Sequence, residues 1–263
     1  PEEDKSKTGI KEITIDSDTF PREVFAGRNF QGELTIRNQA GYEAKDLEVS
    51  LLGIDRRFIE LETEKQTLTF LEGSSLYRQE GEIHVFNFAG KVNELLSSQS
   101  EKKNSYSILV KYSSKVEFSP TVCADSGLYL VGKNCNYKDI GSGTNSQRPE
   151  SFGGQGAPLL ISSLEVIPYT GTNSEIELRM TMNDRGSGSL KSLKLGRTTL
   201  GAIPLNCEFR GIAAEKSDYI QFKEKLSLDK LKLICLGRLE PTRAYPTPLL
   251  VELFYDYQMT VSK

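Results

Sequence analysis

Four cysteines are the residues of this chain whose type and spacing most directly specify chemistry. Eleven residues separate Cys123 from Cys135 and twenty-seven separate Cys207 from Cys235, with a long gap between the two pairs. No C-x-x-C spacing occurs, so a zinc or dithiol redox site is not indicated. Four cysteines allow three connectivities, and the clustering favours Cys123–Cys135 with Cys207–Cys235. Closing loops of this size removes unfolded-chain entropy worth on the order of 3 kcal/mol each. Disulfides belong to an oxidising compartment, with a hyperthermophile's cytosol as the known exception, so the expected location is extracellular, at the cell surface. No N-x-S/T sequon is present, and N-glycosylation is not expected.

The other reactive residues are sparse. The single histidine, His84, lies between Ile83 and Val85 and in phase with Phe86 and Phe88. That pattern reads as a packed strand residue rather than a base, and one imidazole does not make a His-built metal site. No G-x-S-x-G, P-loop or dinucleotide fingerprint surrounds a nucleophile or phosphate site. Asp16–Ser17–Asp18 and Asn134-x-Asn136-x-x-Asp139 carry oxygen ligands that suit calcium, but neither has EF-hand spacing, and both read as turns. No catalytic residue, cofactor or metal is therefore expected. A carboxylate-only glycan hydrolase or carbohydrate-binding module stays as the alternative of a different class, because paired acids leave no local motif. The absence of tryptophan weighs against a sugar-stacking platform.

Alternation of period two positions these residues. Ile176, Leu178, Met180 and Met182 alternate with Glu175, Glu177, Arg179 and Thr181, as a half-buried strand requires. Ile203, Leu205, Cys207 and Phe209 share one face, and Leu231, Leu233 and Cys235 alternate with Lys230 and Lys232. Both late cysteines thus fall in phase with core residues. Leu249, Val251, Leu253, Tyr255, Tyr257, Met259 and Val261 make a long last strand, with Leu250 and Phe254 as apolar exceptions on its polar face. Such residues on an outer face need cover, which makes Leu250 and Phe254 candidate interface residues. In the first half, Leu34–Ile36, Leu47–Leu51, Ile83–Phe88 and Tyr106–Tyr112 repeat the theme, with glycines breaking the runs. The only helix candidate is 92–98.

With 263 residues, 37% apolar and 26% charged, the length favours two domains over one. A mean hydropathy of −0.40 with apolar residues spread throughout excludes global disorder. The near balance of 33 basic and 36 acidic residues leaves no nucleic-acid footprint. No run approaches the roughly 18–20 apolar residues that span a bilayer. The halves resemble one another: Glu33 to Gly41 parallels Leu178 to Gly186, with Asn38-x-x-Gly41 matched to Asn183-x-x-Gly186. A second strand follows each, ending at Leu51–Leu52–Gly53 and at Leu195–Gly196, and Tyr112 and Tyr257 close the corresponding late strands. The expected organisation is one β-sandwich over 1–122, a cysteine loop and Gly-rich linker over 123–157, and a second sandwich with an internal disulfide over 158–263. Phe152 is placed to anchor the linker.

Phe25–Ala–Gly–Arg–Asn–Phe30, Leu34–Thr–Ile–Arg–Asn38 and Ala44 to Leu51 resemble the opening of CARDB-like and other immunoglobulin-like modules of archaeal and bacterial cell-surface proteins. The succession of Cys123 and Cys135, Gly153 to Pro158, and Cys207 and Cys235 is similar to that of surface proteins of small-genome archaea. The resemblance implies an all-β chain of two immunoglobulin-like sandwiches in tandem, with a membrane or lipid tether outside this chain and no catalytic residues to carry over. The expected function is a non-enzymatic structural or binding protein of the cell envelope, acting through protein–protein contacts or self-association. The variant of that reading is a filament or S-layer subunit joined by β-strand addition, either at the long last strand or through Ile10, Ile13 and Ile15 as a donated strand.

Overall fold

The computed structural model describes residues 5–94, 101–124, 150–168, 175–211, 214–223, 228–239 and 245–262. In chain order its strands are β1 (Ile13–Asp16), β2 (Asn29–Asn38), β3 (Ala44–Leu52), β4 (Ile59–Leu61), β5 (Lys65–Leu71), β6 (Ile83–Val92), β7 (Ser107–Phe118), β8 (Thr121–Ala124) and β9 (Glu150–Ser151). There follow β10 (Leu159–Pro168), β11 (Glu175–Asp184), β12 (Ser189–Leu200), β13 (Ile203–Pro204), β14 (Asn206–Gly211), β15 (Ala214–Ser217), β16 (Tyr219–Gln221), β17 (Lys232–Arg238) and β18 (Tyr245–Ser262). Two single 3-10 turns, Lys5–Lys7 and Leu228–Lys230, are the only helical segments among the described residues. None is long or apolar enough to cross a membrane. The chain is all-β, as the alternating pattern requires.

The strands form a four-stranded sheet, β1-β2-β6-β4, a six-stranded sheet, β15-β14-β17-β11-β10-β9, and an eight-stranded sheet running β13-β12-β18-β7-β3-β5 with β16 also on β12 and β8 also on β18. The order recurs along the chain. β1-β2-β6-β4 and β5-β3-β7 in the first half correspond to β10-β11-β17-β14 and β16-β12-β18 in the second. The two sets join where β7 pairs antiparallel with β18 over twelve consecutive residue pairs, from Phe118 opposite Val251 to Ser107 opposite Ser262. Tyr112 lies directly opposite Tyr257. Because these are corresponding residues on corresponding strands, the pairing has the form of a two-fold contact. One buried cluster runs through all three sheets, from Leu34 and Phe88 through Val110 and Tyr257 to Met180 and Leu233.

Several expectations take a different form in three dimensions. Val92 is the last residue of β6 and not the start of a helix; 95–98 lie outside the described residues. Ile83 and Val85 are exposed, while Phe86 and Phe88 take the core side of β6. β12 does not end at Gly196 but continues through an irregularity between Leu195 and Thr198 to Leu200. The internal repeat is displaced by one residue in β2 and β11. Leu34 and Ile36 are buried, and their in-phase partners are Met180 and Met182, so Asn38 corresponds to Asp184 rather than Asn183. The turn chemistry agrees: Asn38 Oδ1 accepts from the Ala40 amide at 3.1 Å and Asp184 Oδ1 from the Gly186 amide at 3.2 Å. Tyr112 and Tyr257 lie inside their strands rather than closing them.

The Cys207–Cys235 disulfide is present. The two residues face each other across β14 and β17, neighbours in one sheet, with Cα atoms 4.0 Å apart. It therefore staples two adjacent strands. Cys123 is buried in β8, and Cys135 lies outside the described residues, as does 125–149 of the expected linker. Phe152 stacks edge-on against Phe118 with ring centroids 4.8 Å apart.

The first residues tie the halves together. Gly9 donates to the Gly154 carbonyl at 3.0 Å and accepts from Gly156 at 2.8 Å, while Gly41 donates to the Gly156 carbonyl at 2.7 Å. Glu12 accepts from the Ser187 amide at 2.9 Å. Close approach explains the glycines. A Cβ on Gly41 would come within 2.5 Å of the Ser6 carbonyl oxygen, and one on Gly186 would collide with the Tyr257 hydroxyl and lie 2.6 Å from Pro158 Cβ. Overpacking of this kind costs about 1–3 kcal/mol. Gly186→Ala is therefore expected to lower the unfolding free energy in urea by about that amount, whereas Gly153→Ala, with nothing within 4 Å of the new methyl, leaves it unchanged. Equal midpoints for the two variants would contradict the close packing at this junction.

Candidate functional site

On β18, odd-numbered residues face the core: Leu249, Val251, Leu253, Tyr255, Tyr257 and Met259 are all buried. Even-numbered ones therefore share the opposite, outer face of the eight-stranded sheet. Registers across β16, β12, β18 and β7 line up one rung as Tyr219–Lys194–Phe254–Lys115. The neighbouring rung reads Gln221–Ser192–Asp256–Ser113–Lys45, the last residue from β3. Between these rungs lies a cavity of about 190 Å³, walled by Phe254, Tyr219, Lys194, Lys115 and Glu43 and floored by Ser113, Asp256 and Ser192.

Its polar groups are held in place. Asp256 takes the Ser113 hydroxyl on Oδ1 and the Ser192 hydroxyl on Oδ2, each at 2.6 Å. Lys115 Nζ bonds Glu117 at 2.8 Å and Glu252 at 3.2 Å, and Lys45 pairs with Glu43 at 2.7 Å. The Glu117 hydrogen bond raises the Lys115 ammonium above its ordinary range, and the same contact lowers the Glu117 carboxyl. Phe254 is 41% exposed and its ring rests on β12 at Gly196, where a Cβ would approach Cε2 to 2.7 Å. The glycine is what lets the ring lie against the sheet.

Beneath this face sits a tyrosine cluster. Tyr112 and Tyr257 rings are 5.8 Å apart, and Tyr255 and Tyr257 are 6.2 Å apart. Tyr257 donates to Asp184 at 2.9 Å, and Tyr42 accepts from the Glu117 amide at 3.1 Å. Burial raises the pKa of the Tyr112, Tyr255 and Tyr257 phenols, Asp184 adding to the shift at Tyr257. These hydroxyls stay protonated; that of Tyr257 bonds Asp184, while those of Tyr112 and Tyr255 are buried with no hydrogen-bond partner among the described residues.

The residues singled out in the sequence are scattered. Phe254 belongs to the outer-face site, and Leu250, half-buried, lies on the same face one rung beyond Glu252. Ile13 is fully buried in β1, Ile15 is half-buried, and Ile10 is 52% exposed, so this segment is folded onto β2 of its own chain. His84 stacks on Phe86 at 4.7 Å. Asp16 closes a turn by accepting from the Asp18 amide at 2.9 Å. The Asn134, Asn136 and Asp139 cluster lies outside the described residues. Among the described residues no group of three metal-ligating side chains is brought together. Sequence reasoning missed Asp256, Ser113, Ser192, Lys115, Lys194 and Tyr219. The parity of β18 puts Asp256 beside Phe254, but the flanking strands come from remote parts of the chain.

The chain matches none of the models of known protein families, and no curated protein matches it.

The acidic side of the stability profile follows from the ion pairs. The Lys65 hydrogen bond lowers the Glu48 carboxyl and the Lys115 hydrogen bond lowers that of Glu117, both below an ordinary 4.5. The folded state thus favours the charged forms, and their contribution is complete above that value and lost as pH falls through the lower folded one. The melting temperature of Glu117→Gln should accordingly fall less steeply with acid than that of the parent. Superimposable acid limbs would show that this pairing adds no pH-dependent stability.

Proposed function

We propose that this chain is a non-enzymatic extracellular protein of a cell envelope, of the archaeal surface-protein type its sequence resembles. It is built of two immunoglobulin-like sandwiches, over 1–122 and 158–263, and acts through contacts made by the outer face of its eight-stranded sheet. The repeated strand order supports two copies of one unit, each placing strands of like position in two sheets. The Cys207–Cys235 staple is compatible with an oxidising compartment.

The observation that carries the reading is the half-exposed Phe254 set among polar residues at the centre of that face. An aromatic there contributes nothing to the core, and partly exposed aromatics among polar groups are what contact surfaces use. Assembly by donation of β18 is disfavoured by its position, since over 251–258 it lies between β7 and β12 and 259–262 are paired to β7.

Two measurements test the proposal. The purified chain should be a monomer at micromolar concentration by light scattering; ordered polymers under negative stain would replace this reading with the lattice one. Alkylation of native material without reductant should leave Cys207 and Cys235 unmodified, and modification of all four cysteines would remove the extracellular assignment.

A further inference from the structure

The two-fold form of the β7–β18 pairing supplies an internal control for the outer-face cavity. Each rung beside Asp256 and Phe254 has a counterpart across the Tyr112–Tyr257 pair. Opposite Phe254–Lys115 stands Leu109–Thr260, with Ser50 of β3 in the place of Lys194. Opposite Ser192–Asp256–Ser113 stands Glu48–Lys111–Gln258, where Glu48 and Lys111 form an ion pair of 3.5 Å. The same backbone arrangement is thus built elsewhere from ordinary side chains. The aromatic ring and the Ser–Asp–Ser row, which also bridges the flanking strands, therefore set this end of the face apart from its counterpart, where Leu109 and the Glu48–Lys111 pair stand.

Their chemistry selects a ligand. Ser113 and Ser192 spend their hydroxyl protons on Asp256, so the row offers oxygen lone pairs to an incoming donor. Lys194 beside Phe254 offers N–H groups to an acceptor. A cation would meet the ammonium groups of Lys45, Lys115 and Lys194, and a simple anion would meet Asp256 and Glu43. Lys45 and Lys115 are, moreover, already paired with carboxylates. A neutral molecule carrying both donors and acceptors, with an apolar face to lay on Phe254, meets none of these penalties. At about 190 Å³ the cavity holds a unit the size of one sugar ring.

We propose that this cavity binds a neutral pyranose unit of a glycan. Its C–H face stacks on Phe254, its hydroxyls donate to Asp256 and the serine oxygens, and another hydroxyl accepts from Lys194. This rests on reading the outer face as the contact surface. It replaces the tryptophan that sugar stacking commonly employs with a phenylalanine seated on Gly196.

The test is saturation-transfer NMR on the full chain with the methyl glycosides of glucose, galactose, mannose and N-acetylglucosamine. At least one should bind with a Kd of about 1 mM, as expected for a single exposed subsite. Phe254→Ala and Asp256→Asn should each weaken it about tenfold, equivalent to about 1.4 kcal/mol, while Thr260→Ala on the counterpart rung leaves it unchanged. Phe254 points away from the core, so its variant should keep the parent's melting temperature and remains decisive if Asp256→Asn unfolds. No binding of any of the four at about 20 mM, twenty times that Kd, overturns the assignment. So does equal binding by Phe254→Ala, or displacement of the glycoside by a tetra-arginine or tetra-glutamate peptide. A chain that is monomeric and disulfide-bonded yet binds no glycoside loses this inference and keeps the proposed function; one that polymerises exchanges that function for the lattice reading whatever it binds.

Discussion

The antiparallel pairing of β7 with β18 is the contact on which the rest of the structure depends. Each strand, without the other, would be the edge of a three- or four-stranded layer and would expose a row of unpaired amides and carbonyls. Pairing them over twelve residues satisfies those groups, closes two edges at once and turns two short layers into one long sheet. It also decides what the outer face contains. Lys115 and Ser113 come from the first half, Phe254 and Asp256 from the second, and they are neighbours only because this register is fixed. A slip of one residue would send Tyr255 and Tyr257 outward and Asp256 into the core.

Three features hold that register. The core side of the joint carries the tyrosine cluster, in which Tyr257 is anchored by Asp184 from another sheet. The N-terminal segment is bonded through Gly9 to Gly154 and Gly156 and through Glu12 to Ser187, tying it to the second half. The outer side is bridged by Asp256, which reaches a serine on each flanking strand. Burying apolar area supplies the driving force for all of this, but it is non-directional. The hydrogen bonds and the glycine contacts are what single out one alignment among several that would bury similar area.

Much of the architecture was legible in the residues. Alternation identified β11, β14, β17 and the inward face of β18, because a strand with one wet face must place apolar residues at every second position. The same parity exposed Phe254 as an apolar residue on the wrong side. The late cysteine pair was legible for the same reason, being in phase with core residues on two strands. The displaced repeat shows where such reading stops. Asn38 and Asn183 look alike as letters, whereas burial pairs Asn38 with Asp184, because the phase of a strand is set by its neighbours in the sheet.

The sequence by itself determined the all-β class, the inward and outward faces of most strands and the candidate disulfide at Cys207 and Cys235. Those properties depend on local period and composition, which a linear chain carries in full. The tertiary structure decided that the last strand pairs within its own chain, that Ile13 and Ile15 are paired onto β2, and that Phe254 shares a cavity with Asp256, Ser113, Ser192, Lys115 and Lys194. Which strand lies beside which follows from backbone pairing between segments at separations as different as 19 residues (Asp16 and Thr35) and 155 (Ser107 and Ser262). Local pattern does not encode that choice, because every half-buried strand presents the same alternation to every possible partner.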